Sequence, residues 1–250
     1  MNTTDSFTVK RPIVALILIE LMLMIFVAGG SAYVSIAELT HPLAPFLGFI
    51  PIALFLVIYM TVKKRWSTFY FSGVSKLTKQ QWLEYLPLLL VLIVLLIANK
   101  GFQPASFSFF TYMLLSQLFL VGFVEETLFR GMMLRILMPK GKTAAIIVSS
   151  ALFGVTHALQ ALGGQSLEDT LLQIGYAFIL GFVLTMLVVR NRTILLTILF
   201  HGLHNFLNFT GNDPGTHLYD YLVIAILAIQ LIWLLSSSKK NSIKTNTIYT

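Results

Sequence analysis

Residues 106–138 read SFSFFTYMLLSQLFLVGFVEETLFRGMMLRILM, an apolar stretch with Glu125, Glu126 and Arg130 set in its middle. About 20 residues of helix cross the hydrocarbon core of a bilayer. This stretch exceeds that, so as a membrane helix it is tilted or runs on past the core. An ionisable group inside a span costs roughly 2.5–3.5 kcal/mol on insertion scales and by default marks function. Acidic and basic groups kept within one apolar helix therefore point both to a membrane fold and to a site inside it.

The rest of the chain agrees. Hydrophobic residues make up 57% of its 250 residues, charged residues only 11%, and the mean hydropathy is +0.84. A soluble domain needs more charge on its surface, whereas lipid suits this composition. There is no cysteine, which excludes disulfides and thiolate metal sites; a metal would need His, Asp, Glu or Asn. The formal charge is +7, but no basic cluster sits on a folded soluble segment, so nucleic acid is not an expected partner.

Hydropathy predicts an all-α polytopic bundle of about eight transmembrane helices, over 12–34, 43–62, 84–99, 106–138, 143–162, 170–189, 193–210 and 218–236. Pro42, Pro104, Pro139 and Pro214 fall between segments, where they stop or start helices. Lys10 and Arg11 precede an apolar run reaching about Tyr33, too long for a signal-peptide core, so a retained first helix is expected. The connection 65–83 interleaves Trp66, Phe69, Tyr70, Phe71 and Trp82 with Lys76 and Lys79, a pattern suited to the headgroup layer.

Charge gives the orientation. With the N-terminus inside, the inner ends carry Lys10, Arg11, Lys63, Lys64, Arg65, Lys76, Lys79, Arg135, Lys140, Lys142, Arg190, Arg192, Lys239, Lys240 and Lys244. The outer ends carry Lys100 with Glu38, Glu168, Asp169, Asp213 and Asp220. This obeys the positive-inside rule and predicts both termini inside. We read 1–250 as one integral membrane domain, with 237–250 as a polar, unstructured inner tail.

Polar residues concentrate on three predicted spans: Glu125, Glu126 and Arg130 on the fourth, His157 on the fifth, and His201, His204 and Asn205 on the seventh. Glu126 and Arg130 are i and i+4 and can pair. Glu125 is rotated about 100° from Glu126, so the two carboxylates should not readily share a partner, and Glu125 should face the bundle centre. His201 and Asn205, and likewise Phe153 and His157, repeat the i, i+4 spacing. Gly122, Gly131, Gly154, Ala158 and Gly202 permit close helix approach. His41 and His217 lie in outer loops and read as ordinary. Glu20 reads as a structural or local polar contact.

Such a set suits hydrolysis. A carboxylate in an apolar site makes a competent general base. A neutral His can orient water, and a further His and an Asn amide can donate to a developing oxyanion. Two His and a Glu are equally a reasonable shell for Zn²⁺. Spacing leaves both open. There is neither an HExxH nor a GxSxG site.

Three short motifs carry a resemblance. Glu125-Glu126-Thr-Leu-Phe-Arg130 is similar to the EExxxR motif of the CAAX protease and bacteriocin-processing (CPBP, or Abi) intramembrane proteases. Phe153-Gly-Val-Thr-His157 resembles their FxxxH motif, and His201-Gly-Leu-His-Asn205 their HxxxN motif. The resemblance covers roughly 105–210, the expected catalytic core. It implies that Glu125 and His157 activate water, and that His201 and Asn205 stabilise the oxyanion or help to hold a metal. Glu126 and Arg130 would shape the site, with Phe153 and His204 beside it. It implies a peptide or membrane-protein substrate, and a divalent metal such as zinc on Glu125, His157 and His201 in the metalloprotease view of the family. The short chain suits a bacterial plasma-membrane member acting in peptide maturation or self-immunity. A non-catalytic bacteriocin-immunity scaffold and a proton-coupled transporter are the competing readings.

Overall fold

The computed structural model describes residues 7–158, 164–212 and 215–248, with side chains to Ser238. Asp213, Pro214 and the 159–162 end of the fifth expected span lie outside the described residues. Eight principal helices follow the expected order. They are α1 (Pro12–Ile36), α2 (Phe49–Val62), α3 (Lys79–Ala98), α4 (Phe107–Lys140), α5 (Lys142–Thr156), α6 (Leu167–Asn191), α7 (Leu195–Thr210) and α8 (Leu218–Ile248). A single turn, Phe7–Lys10, leads into α1. Among the described residues there is no strand, only an isolated bridge between Phe102 and Gly211.

Five helices are long and apolar enough to cross a membrane: α1, α3, α4, α6 and the Leu218–Ser238 part of α8. The chain is therefore a multi-pass membrane protein, as expected, with three of the eight helices shorter than expected among the described residues. Helices α2, α5 and α7 have 14, 15 and 16 residues, short of the usual crossing length. In α2 the reason is visible: apolar residues counted into the span, Ala44–Phe46, form a separate 3₁₀ turn. At α8 the correction runs the other way. The tail expected to be unstructured continues the helix to Ile248, because extending an existing helix adds one hydrogen bond per residue fixed.

Local chemistry sets the ends. Ser106 caps α4 by accepting from the Phe109 N–H at 3.2 Å, and Ser166 caps α6 by accepting from the Asp169 N–H at 3.1 Å. Pro87, which has no N–H, coincides with a break in α3 at Glu84–Tyr85. Large apolar side chains lie exposed along α1, including Ile13, Ile17, Leu18, Leu21 and Ile25, as expected when the solvent is lipid. Helix α6 is the most enclosed span, packed between α5 and α8.

The 65–83 connection does more than lie flat. Phe69 and Tyr70 are buried, with Phe69 packed against Gly131 of α4. The Tyr70 carbonyl accepts from the Ile194 N–H at 2.9 Å, and Thr193 donates to the Ser72 carbonyl at 2.8 Å. The connection thus ties the α6–α7 turn to α4, through its backbone carbonyls on one side and Phe69 on the other, while Trp82 remains exposed.

Helix α4 departs from regular geometry twice, with π-helical stretches at Gln117–Gly122 and Thr127–Met133. Such bulges often accompany functional sites, because widening a turn re-aims its side chains. Here the regular turn Phe123–Glu126 sits between them. Helix α7 presses against the first π stretch at Gly202, where an added Cβ would lie 2.9 Å from Leu118 Cα and 3.0 Å from the Gln117 carbonyl oxygen. Only glycine allows α4 and α7 this close, and His201 is carried in with it.

Candidate active site

Glu126 is the hub. Its Oε1 lies 2.9 Å from Arg130 Nη1, one helical turn on, and 2.9 Å from His201 Nδ1 across the α4–α7 contact. The Glu126 and Arg130 side chains are completely buried. His201 Nδ1–H donates to Glu126, which turns the opposite ring nitrogen, Nε2, toward Glu125 Oε2 at 3.6 Å. One imidazole thus serves both carboxylates. The expectation that they would not share a partner is overturned, and the physical reason is the ring itself. Its two nitrogens point in different directions, so two acceptors about 100° apart around a helix can both be reached. The expected i, i+4 pairing of Glu126 with Arg130 is present. Glu125 retains some exposure and lines a cavity of about 630 Å³.

Phe153 organises the next layer. Its ring lies 4.0 Å from the Arg130 guanidinium carbon, a cation–π contact. It meets the His201 ring edge-on at 5.8 Å and the His157 ring at 4.8 Å. Helix α6 makes room at Gly181, where a Cβ would come within 3.1 Å of the Phe153 ring and 3.3 Å of Arg130 Nη2. His157 Nδ1–H donates to the Phe153 carbonyl at 2.8 Å, which leaves its Nε2 as the basic nitrogen. His157 lines the same cavity as Glu125 and His201.

Asn205 and His204 complete the α7 face. Taking His204 with its proton on Nδ1, the ring donates to Asn205 Oδ1 at 3.3 Å, and Nε2 accepts from the Tyr176 hydroxyl at 2.5 Å. Asn208 donates to the His204 carbonyl at 3.0 Å. The Asn205 oxygen is then engaged while its NH₂ group remains a donor beside the cavity. All four residues expected to be catalytic, Glu125, His157, His201 and Asn205, line this one cavity, and so does His204.

Several residues at the cavity escaped the sequence reading. Tyr176 looks like any aromatic in a span, and Gln117 and Gln173 carry no charge to draw notice. The available signal was the side-chain amide within a membrane helix. His217, read as ordinary, stands at the cavity's edge with Nε2 3.2 Å from Asp169 and Nδ1 3.0 Å from Asp220. Its hydrogen bond to Asp220 raises its pKa above the usual imidazole value. Glu20 accepts from the Thr156 hydroxyl at 3.1 Å, the local polar contact that was expected.

Among the described residues no group of three or more His, Asp or Glu side chains could hold a metal ion. His201 commits Nδ1 to Glu126, and His157 commits Nδ1 to a backbone carbonyl. Both Nε2 atoms remain free, the side from which an imidazole so held can bind a metal, but as placed Glu125, His157 and His201 are not gathered closely enough to hold the ion that the resemblance allows.

Fold and site together define a polytopic helical membrane protein with an acid–imidazole–amide cavity between its helices. Residues 107–207 match the family model of type II CAAX prenyl endopeptidase Rce1-like proteins. All three motifs fall within that stretch, and the resemblance drawn from them is borne out to that extent. No curated protein and no solved structure matches the chain.

Proposed function

We propose that the chain is an intramembrane endopeptidase in which Glu125 activates the attacking water. What supports this most is the division of labour between adjacent carboxylates: Glu126 is buried and held by Arg130 and His201, while Glu125 reaches the cavity. The buried set holds two carboxylates and one guanidinium. The step uses one further proton in this set, on His201 Nε2. With that proton on His201, Glu125 is free to act as a base.

Water held between Glu125 and His157 Nε2 gives its proton to Glu125 as its oxygen attacks the peptide carbonyl. The Asn205 NH₂ and His201 Nε2–H donate to the oxyanion of the tetrahedral intermediate, a kind of contribution worth about 3 kcal/mol per donor in other enzymes. Protonated Glu125 then delivers its proton to the leaving nitrogen, and the C–N bond breaks. The products are a carboxylate and an amine. Tyr176, through His204, fixes the Asn205 side chain.

The matched family's description supports a prenylated CAAX-type C-terminus as the first substrate class to try, and the motif resemblance supports a place in peptide maturation or self-immunity. The test is cleavage of an internally quenched farnesylated CAAX peptide by the purified chain in proteoliposomes, run in H₂¹⁸O. The expected product carries one ¹⁸O in its new carboxylate; absence of cleavage, or an unlabelled product, overturns the reading. Chelator dialysis should leave the rate within about twofold, whereas a loss restored by zinc would overturn the metal-free step.

A further inference from the structure

Gln117 lies on α4 two turns before Glu125, fully buried and facing the same cavity. In a regular helix, eight steps of about 100° would leave position 117 about 80° out of line with position 125. The first π stretch begins at Gln117, and its wider turn removes part of that rotation. Gln117, Val121 and Glu125 consequently form one row along the cavity wall.

The Gln117 side chain is poorly satisfied. Its Nε2 has only a long contact to Met113 Sδ at 3.9 Å, and its Oε1 is buried with no hydrogen-bond partner. Across the cavity on α6, Gln173 also has a buried Oε1 without a partner. A buried unpaired amide oxygen is destabilising, so retaining one in an apolar wall needs a reason. A substrate supplies it. A peptide unwound for cleavage within a membrane exposes backbone N–H groups that find no acceptor in hydrocarbon.

We propose that Gln117 is a substrate-positioning residue whose carboxamide oxygen accepts a backbone N–H from an extended peptide lying along α4. This rests on the peptidase reading above. Eight residues of helix span about 12 Å, and an extended chain covers about 3.3 Å per residue. The N–H held by Gln117 therefore belongs to a residue about three or four positions from the scissile bond. The substrate segment is a strand at the moment of cleavage, and its register is set by an amide as well as by apolar pockets. Gln173 offers a second acceptor from the opposite wall.

The test is binding of a fluorescent farnesylated CAAX peptide to the full chain carrying Glu125→Gln, with and without Gln117→Met. Loss of one hydrogen bond predicts about five- to tenfold weaker binding. Met has similar length and no unpaired oxygen, so the variant should unfold at the same or a higher temperature, whereas a structural glutamine would lower it. A peptide with an ester oxygen in place of the N–H three or four residues from the cleaved bond should bind weakly to the Gln117-containing protein. It should lose nothing further with Gln117→Met. Unchanged affinity in Gln117→Met, or additive losses at every ester position, overturns the proposal; Gln117→Asn provides a second variant with a shortened reach. If the peptide binds in this Gln117-dependent way but the unmutated chain leaves it intact, the peptidase reading fails and the binding role stands.

Discussion

Among the described residues two Glu–Arg pairs are largely buried, and they are built for different ends. Toward the end of the bundle that the charge pattern assigns to the inside, Glu84 meets Arg190. All three guanidinium nitrogens of Arg190 donate: Nε and Nη2 to Glu84, and Nη1 to the Leu234 carbonyl and Ser238. Asn191 donates to the other Glu84 oxygen at 3.2 Å, and Gln230 donates to the Glu84 carbonyl at 2.8 Å. Charge is matched and the carboxylate and guanidinium are bonded on every side, although Asn191 Oδ1 and Gln230 Oε1 stay buried without a partner, so the cluster ties α3, α6 and α8 together. Around Glu126 the pattern is sparser. Arg130 stands 2.9 Å from Glu126, yet none of its three nitrogens is aligned for a hydrogen bond, and the Phe153 ring covers it. Next to this pair Glu125 faces an open cavity. A cluster whose charged atoms bond one another stabilises the fold. One that leaves polar atoms facing a cavity has capacity left for a ligand.

The comparison can be broken by substitution. The largest expected effect is that of Glu125→Gln, which should lower kcat by about 10³-fold, within the range for general-base loss, while the unfolding temperature hardly moves. Glu84→Gln should do the reverse, costing about 3 kcal/mol of stability by leaving Arg190 buried without its counter-charge, with kcat preserved in the folded fraction. Arg130→Met joins the two behaviours: it strands Glu126, so stability and kcat should fall together, the first by about 3–5 kcal/mol. Equilibrium unfolding and cleavage assays on the same preparations would separate these outcomes. Smaller still, Tyr176→Phe should reduce kcat only severalfold, since one hydrogen bond worth about 1 kcal/mol is lost from the support of Asn205.

The smallest effect concerns His217. Its raised pKa means that the charged form is favoured in the folded protein by Asp220 and Asp169. That contribution is fully present below the ordinary imidazole value and disappears as pH rises through the raised one. Unfolding temperatures of the wild type and His217→Gln should therefore differ in mildly acidic buffer and converge at alkaline pH. A constant gap would contradict a role for the charge.

Helix order, the membrane setting and the gathering of Glu125, His157, His201 and Asn205 were legible because charge and hydropathy change sharply along this chain. Less legible were features that depend on backbone irregularity. The two π stretches have no sequence signature, yet the first brings Gln117 toward the line of Glu125. The bridging role of His201 was missed because helical rotation was counted for the carboxylates and not for the two-sided imidazole. Span lengths were overestimated at α2 because apolar composition does not distinguish a helix from the 3₁₀ turn ahead of it. Glu84 passed unnoticed because its partners, Arg190 and Gln230, are distant in sequence.

The central claim is that side chains from separate helices act as one unit on one bond. The most direct measurement is kcat for Glu125→Gln, His201→Ala and the double variant, all on the same quenched peptide. Groups serving a single step are strongly non-additive, so the double variant should be no slower than the slower single variant. Losses that multiply would mean that the two residues work independently, and the shared site would be refuted.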